Sequence, residues 1–206
     1  MIGFKIILYL NNSLLFLCFI LGIIKLKYLN NKEKWYVYYA IFLFIIEIIN
    51  KLFVYFLEVK NMSFLYPVYI AGEFFVLNSL YTKKIGLSKY WLIPLSVIAG
   101  VFLISAQYFG LTIDNDYAKV ISNIIVVCFS GYVLLQEIKG SETVNRFLLV
   151  DGCIFFYYSV SVFTFIIQHQ LAALSQQNAS LIWGINNLLS SIVYGALIYK
   201  FLRLKK

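Results

Sequence analysis

The chain has 206 residues, of which 62% are hydrophobic and 13% charged, with a formal net charge of +8. A soluble domain is about half apolar and a quarter charged, so this composition excludes an ordinary soluble enzyme, a disordered chain and a secreted disulfide scaffold, and leaves a polytopic helical membrane protein. The positive charge would point to nucleic acid in a soluble protein; here it is expected from loops beside anionic lipid, which makes membrane lipid the partner and nucleic acid not one.

Inside lipid a segment must satisfy its own backbone hydrogen bonds, so the expected elements are helices. Crossing about 30 Å of hydrocarbon takes about 20 apolar residues. Seven segments qualify, at 6–24, 35–57, 64–81, 90–108, 117–135, 147–167 and 181–202. The expected fold is all-α: a single multi-pass domain over 1–206 with seven transmembrane helices. A transmembrane β-barrel would show alternating strands of about ten residues, and runs such as 40–46 and 121–128 do not alternate.

In chain order, Lys5 precedes the first span, but no small-x-small cleavage site follows it, so the span is read as retained. Span two carries Glu47 near its middle and Lys51 four residues on, a ready-made i, i+4 pair on one face. Span three carries Tyr66, Tyr69 and, near its middle, Glu73, with no basic residue within one turn on the same helix. A carboxylate alone at that depth is a functional-site hypothesis by default. Span five brings Ser122 and Asn123. Asp151 lies one turn into span six, where a carboxylate suits the helix dipole and reads as structural. Tyr157 and Tyr158 follow near its middle, and His169 lies in the next loop as a solvated residue. Span seven holds Trp183, Asn186, Asn187, Ser190, Ser191 and Tyr194. Successive residues are about 100° apart on a helix, so at least one of the two adjacent amides should face the bundle.

Loop charges set the orientation. Lys25, Lys27, Lys32, Lys34, Lys83, Lys84, Lys89, Lys139, Arg146, Lys200, Arg203, Lys205 and Lys206 share one side, 13 of the 17 basic residues. Lys5, Lys51, Lys60 and Lys119 are left for the other. The positive-inside rule then puts the N-terminus outside and the C-terminus in the cytoplasm. Most of the polar residues fall at the midplane or above it. The expectation is a polar pocket that opens outward, with Glu47, Lys51, Glu73, Asn123, Tyr157, Asn186 and Asn187 as its ligand- or ion-binding residues. The competing expectation is that Asn, Ser and Tyr serve as hydrogen-bond glue between helices and that Glu47–Lys51 is a neutralised pair holding the fold.

Cofactor and metal chemistry are not expected. A retinal protein needs a Lys in the middle of its last span, and Lys200 is at the end. One His without clustered carboxylates is no metal site. Ser130, Ser159, Ser161 and Ser190 have no His in a facing span to activate them, so an intramembrane enzyme ranks last.

Glu47-Ile48-Ile49-Asn50, Tyr66-Pro67-Val68-Tyr69-Ile70-Ala71-Gly72-Glu73-Phe74, Phe156-Tyr157-Tyr158-Ser159 and Trp183-Gly184-Ile185-Asn186-Asn187 occur in that order. Together they resemble a group of small, uncharacterised seven-span inner-membrane proteins of Gram-negative bacteria. The resemblance implies that fold and a multi-pass location in the bacterial inner membrane, and brings no activity with it. Three functions are then weighed. One is a receptor- or sensor-like module whose outward pocket binds a small ligand and whose basic cytoplasmic face meets a protein partner. One is a small transporter or channel using an intramembrane Glu. One is a structural subunit of a membrane complex.

Overall fold

A computed structural model describes residues 2–58, 64–108, 115–140, 145–167 and 176–204. Every regular element among them is helical: α1 (Ile2–Lys25), α2 (Lys34–Phe56), α3 (Leu65–Ile85), α4 (Leu92–Tyr108), α5 (Asn115–Ile138), α6 (Leu148–Ile166) and α7 (Gln176–Arg203), with short 3₁₀ turns at Leu26–Tyr28 and Lys89–Trp91. Among the described residues five stretches are long and apolar enough to cross a membrane: Gly3–Tyr28, Lys34–Phe56, Tyr117–Ile138, Leu148–Ile166 and Ser180–Arg203. The stretch Lys89–Ile104, with most of α4, is apolar but shorter. α3 is not among the five, because Glu73, Asn78, Ser79, Thr82, Lys83 and Lys84 make it too polar.

The packing explains why α3 can be polar. α1 packs on α2, α2 on α3, α3 on α5, α5 on α6, α6 on α7, and α7 returns to α1. α4 lies outside this ring and covers α3, where Phe74 and Phe102 meet edge to face at 5.3 Å. α3 is thus enclosed by α2, α4 and α5, and its polar residues Glu73, Asn78, Ser79 and Thr82 are all buried. Its start accommodates Pro67, since the first turn of a helix has no partner for that missing N–H. Its end is set by Gly86 at φ 81°, a left-handed C-cap that other residues adopt poorly. Gly72 has a different reason: a Cβ there would run into the Phe42 ring of α2.

The outer surface is apolar. Ile93, Val97 and Val101 form an exposed stripe along α4 at a spacing of four. Within the ring a set of polar side chains is buried, among them Glu73, Asn78, Lys119, Asn123, Asp151 and Asn186. One end of the bundle collects the junction of α1 with α2, the end of α3, the start of α6 and the end of α7. There Lys25 donates to the Leu204 carbonyl at 2.9 Å and Arg146 pairs with Glu33. We call it the basic end.

Candidate functional site

Two buried centres and one cavity concentrate the polar chemistry. The first centre is Glu73. It is 1% exposed and pairs with Lys119 of α5, itself 1% exposed. Glu73 Oε1 also accepts from Tyr69 at 2.8 Å and from Tyr158 at 2.7 Å. Lys119 donates to the Tyr69 hydroxyl at 3.3 Å and lies over that ring at 4.4 Å. The Tyr39 hydroxyl lies 3.0 Å from that of Tyr158; with the Tyr158 proton on Glu73, Tyr39 is the donor. Four helices thus converge on one carboxylate. The expectation of a lone, unpaired Glu73 is corrected: its counter-charge comes from a helix 46 residues away. Lys119, tallied on the outer side and near the start of the expected fifth span, is a buried residue of α5.

The second centre is Asp151, wholly buried near the start of α6. Tyr36 of α2 donates to its Oδ1 and Lys84 of α3 to its Oδ2. Asn145 Nδ2 donates to Oδ2 at 2.8 Å, while Asn145 Oδ1 accepts from Lys84 at 3.2 Å and from the Phe147 amide at 3.0 Å. Lys84 also donates to the Tyr36 hydroxyl at 2.6 Å. Phe147 stacks on Tyr36 at 4.6 Å and meets Phe201 edge-on at 6.2 Å. Asp151 thus ties α2, α3 and α6 at the basic end, beyond the local dipole that the sequence indicates.

The cavity lies within the ring on the side away from the basic end, and has a volume of about 290 Å³. α1 contributes Asn11 and Asn12, α2 contributes Glu47, and α3 contributes Tyr66 and Tyr69. α6 contributes Tyr157 and Phe165. The remaining wall is α7, with Trp183, Asn186, Asn187, Ser190 and Tyr194. Asn11 Oδ1 accepts from Ser190 at 2.8 Å and Ser191 at 2.9 Å, which fixes α1 against α7. Asn187 donates back to the Trp183 carbonyl at 2.9 Å. The Tyr157 hydroxyl is directed towards Tyr69, Asn186 and Ser161. Asn186 is 8% exposed, and its Oδ1 has no donor among the described residues.

Of the sequence-predicted residues, the cavity brings together Glu47, Tyr157, Asn186 and Asn187. Glu73 is one contact behind the wall, reached through Tyr69. Lys51 holds Glu47 at 3.3 Å from a half-exposed position and does not line the cavity. Asn123 is buried elsewhere and donates to Ser161 at 3.1 Å, so it is a tie between α5 and α6 and no part of the lining. His169 lies outside the described residues. Asn11, Asn12 and Lys119 are the residues that sequence reasoning missed. A signal for the first two existed: α1 and α7 each carry an adjacent Asn pair near mid-helix. Among the described residues no three His, Cys, Asp or Glu side chains gather as a metal site would need.

No family model, no curated protein and no solved structure matches this chain.

Proposed function

We propose that this protein is a receptor- or sensor-like module of the bacterial inner membrane: multi-pass, seven-span, N-terminus outside and basic end in the cytoplasm, with a pocket that takes up a small ligand from outside. The convergence of polar side chains on one cavity carries the reading. Amides from α1 and α7, phenols from α3, α6 and α7 and the Glu47 carboxylate all line it. Buried polar side chains around open space offer a ligand the few placed polar groups that fix its orientation. The volume is near the lower end of small-ligand sites, roughly 300–1,000 Å³. The lining offers amides, phenols, an indole and one carboxylate, with no cation among the described residues. A polar molecule that is neutral or cationic suits it, and an anion does not.

Several observations support the finer points. The bias of loop cations supports the orientation. The enclosure of α3 by other helices supports counting it as a span despite its polarity, since lipid does not have to solvate its polar residues. The resemblance to small seven-span proteins supports the location. The basic end supports binding over conduction: Tyr36, Lys84, Asn145 and Asp151 bond to one another there and Phe147 packs across them. The signal would leave through the basic face to a protein partner.

The test is water access. Cys18, Cys128 and Cys153 are replaced by Ala, and Asn187→Cys is introduced. The expected result is modification by a membrane-impermeant thiol reagent in intact spheroplasts. Reaction only in inverted vesicles, or none in either, overturns the outward pocket and returns Asn186 and its neighbours to helix glue.

A further inference from the structure

A second cleft, of about 380 Å³, opens at the basic end between the start of α6 and the last turn of α7. Its floor is apolar and buried, formed by Phe147 and Leu204, and its walls carry Arg146, Lys200 and Arg203. The floor is firmly held. Phe147 is packed between Tyr36 and Phe201, and the Leu204 carbonyl is bonded to Lys25.

The cations are placed rather than scattered. Arg146 Nε and Nη2 donate to the two oxygens of Glu33 at 2.9 and 2.6 Å. That bidentate hold fixes the guanidinium plane and uses two of its five N–H donors. The other edge is left for an anion, on a side chain that is 51% exposed. Lys200 and Arg203 are three residues apart on one face of α7, and both lie against the Tyr199 ring, at 5.8 and 4.6 Å. Neither forms an ion pair among the described residues.

Cations in a last turn complement the helix dipole, and that accounts for Lys200 and Arg203 taken singly. It does not account for Arg146, which comes from the opposite terminus of a different helix and faces the same cleft. Beside the cleft the surface is apolar, with Leu148, Leu149 and Leu202 exposed. Cationic walls, a buried apolar floor and an apolar flank match a molecule with an anionic head and hydrocarbon tails. We propose that this cleft is a headgroup site for an anionic phospholipid. Its phosphate sits between Arg146, Lys200 and Arg203, and its acyl chains run along α6 and α7 over the exposed leucines.

The full chain in detergent is titrated with phosphatidylglycerol, phosphatidylcholine or glycerol 3-phosphate, and bound molecules are counted by native mass spectrometry. Phosphatidylglycerol is expected to be retained over phosphatidylcholine. Lys200→Gln and Arg203→Gln are each expected to weaken that retention about fivefold. Lys27→Gln and Lys89→Gln remove cations outside the cleft lining and are expected to leave it unchanged. Arg146→Lys keeps the charge and removes the fork; it is expected to weaken retention, with Glu33→Gln as the control for the lost hold on Glu33. Equal losses at Lys27 and Lys89 overturn the site in favour of a diffuse field. Competition by glycerol 3-phosphate at the same concentration as the lipid overturns it in favour of a soluble anion. Absence of any preference between the two lipids overturns it outright.

Discussion

The Glu73 and Asp151 centres are built from the same parts, a carboxylate, a lysine and tyrosine hydroxyls, each drawn from at least three helices. They differ in what lies next to them. Asp151 is covered by Phe147 and bonded to Asn145. Glu73 is held by Tyr69, whose other side lines the cavity. A buried ion pair is therefore a poor marker of function by itself. Replacing both charges of such a pair with apolar groups is often neutral, while removing one is costly. What separates the two centres is that a side chain bonded to the Glu73 carboxylate itself lines a cavity, whereas Phe147 closes the Asp151 bonds off from the space beside them. On that basis Asp151 is a lock, and Glu73 is a support beneath a pocket.

The largest expected effect treats the centres alike. Lys84→Met and Lys119→Met each strand a buried carboxylate and should cost about 3–5 kcal/mol, read as a lower melting temperature in detergent. A loss at one centre below about 1 kcal/mol would break the likeness. The paired changes separate them. Lys84→Met with Asp151→Leu, and Lys119→Met with Glu73→Leu, should each recover most of the single-mutant loss. Only the second pair should alter the thiol reactivity of Asn187→Cys, because only that centre touches the cavity wall.

The flanking glycines give a smaller contrast, of opposite sign. Gly72 precedes Glu73, and a Cβ there meets the Phe42 ring. Gly72→Ala should cost about 1–3 kcal/mol by overpacking. Gly152 follows Asp151 with open space at its Cβ position. Gly152→Ala should stabilise by up to about 1 kcal/mol through helix propensity. Equal signs in chemical or thermal unfolding would mean that α2 does not approach α3 as closely as described. The smallest effect belongs to Glu47→Gln. Glu47 lines the cavity, and on the outward-pocket reading water there screens its pair with Lys51, so stability should change by about 0.5 kcal/mol or less. Any larger consequence should be confined to ligand uptake.

Helical class and richness in apolar helices were legible from composition and run length, because lipid leaves the backbone no other option. The Glu47–Lys51 pair was legible because a spacing of four is a property of one helix. Glu73–Lys119 was not, since no local rule links positions 46 residues apart. Run length puts Lys119 near the start of span five, and only the packing of α5 on α3 shows that it turns inward to Glu73. Asn123 shows the converse. Its polarity at depth was legible, but its partner Ser161 on α6 makes it a tie between helices and leaves the cavity wall to other residues. α3 falls short on hydropathy, which weighs a helix against lipid, while its polar residues are buried among α2, α4 and α5.

The 46-residue separation between Glu73 and Lys119 has a consequence in time. At about 5–20 residues per second of synthesis, the carboxylate emerges roughly 2–9 seconds before the ammonium that pairs with it. In that interval α3 has Tyr69, one turn away on its own backbone, and the already finished α2. On the seven-span reading, a helix with an uncompensated carboxylate partitions poorly into hydrocarbon. The centre is then completed in two steps, by Lys119 when α5 follows and by Tyr158 when α6 does.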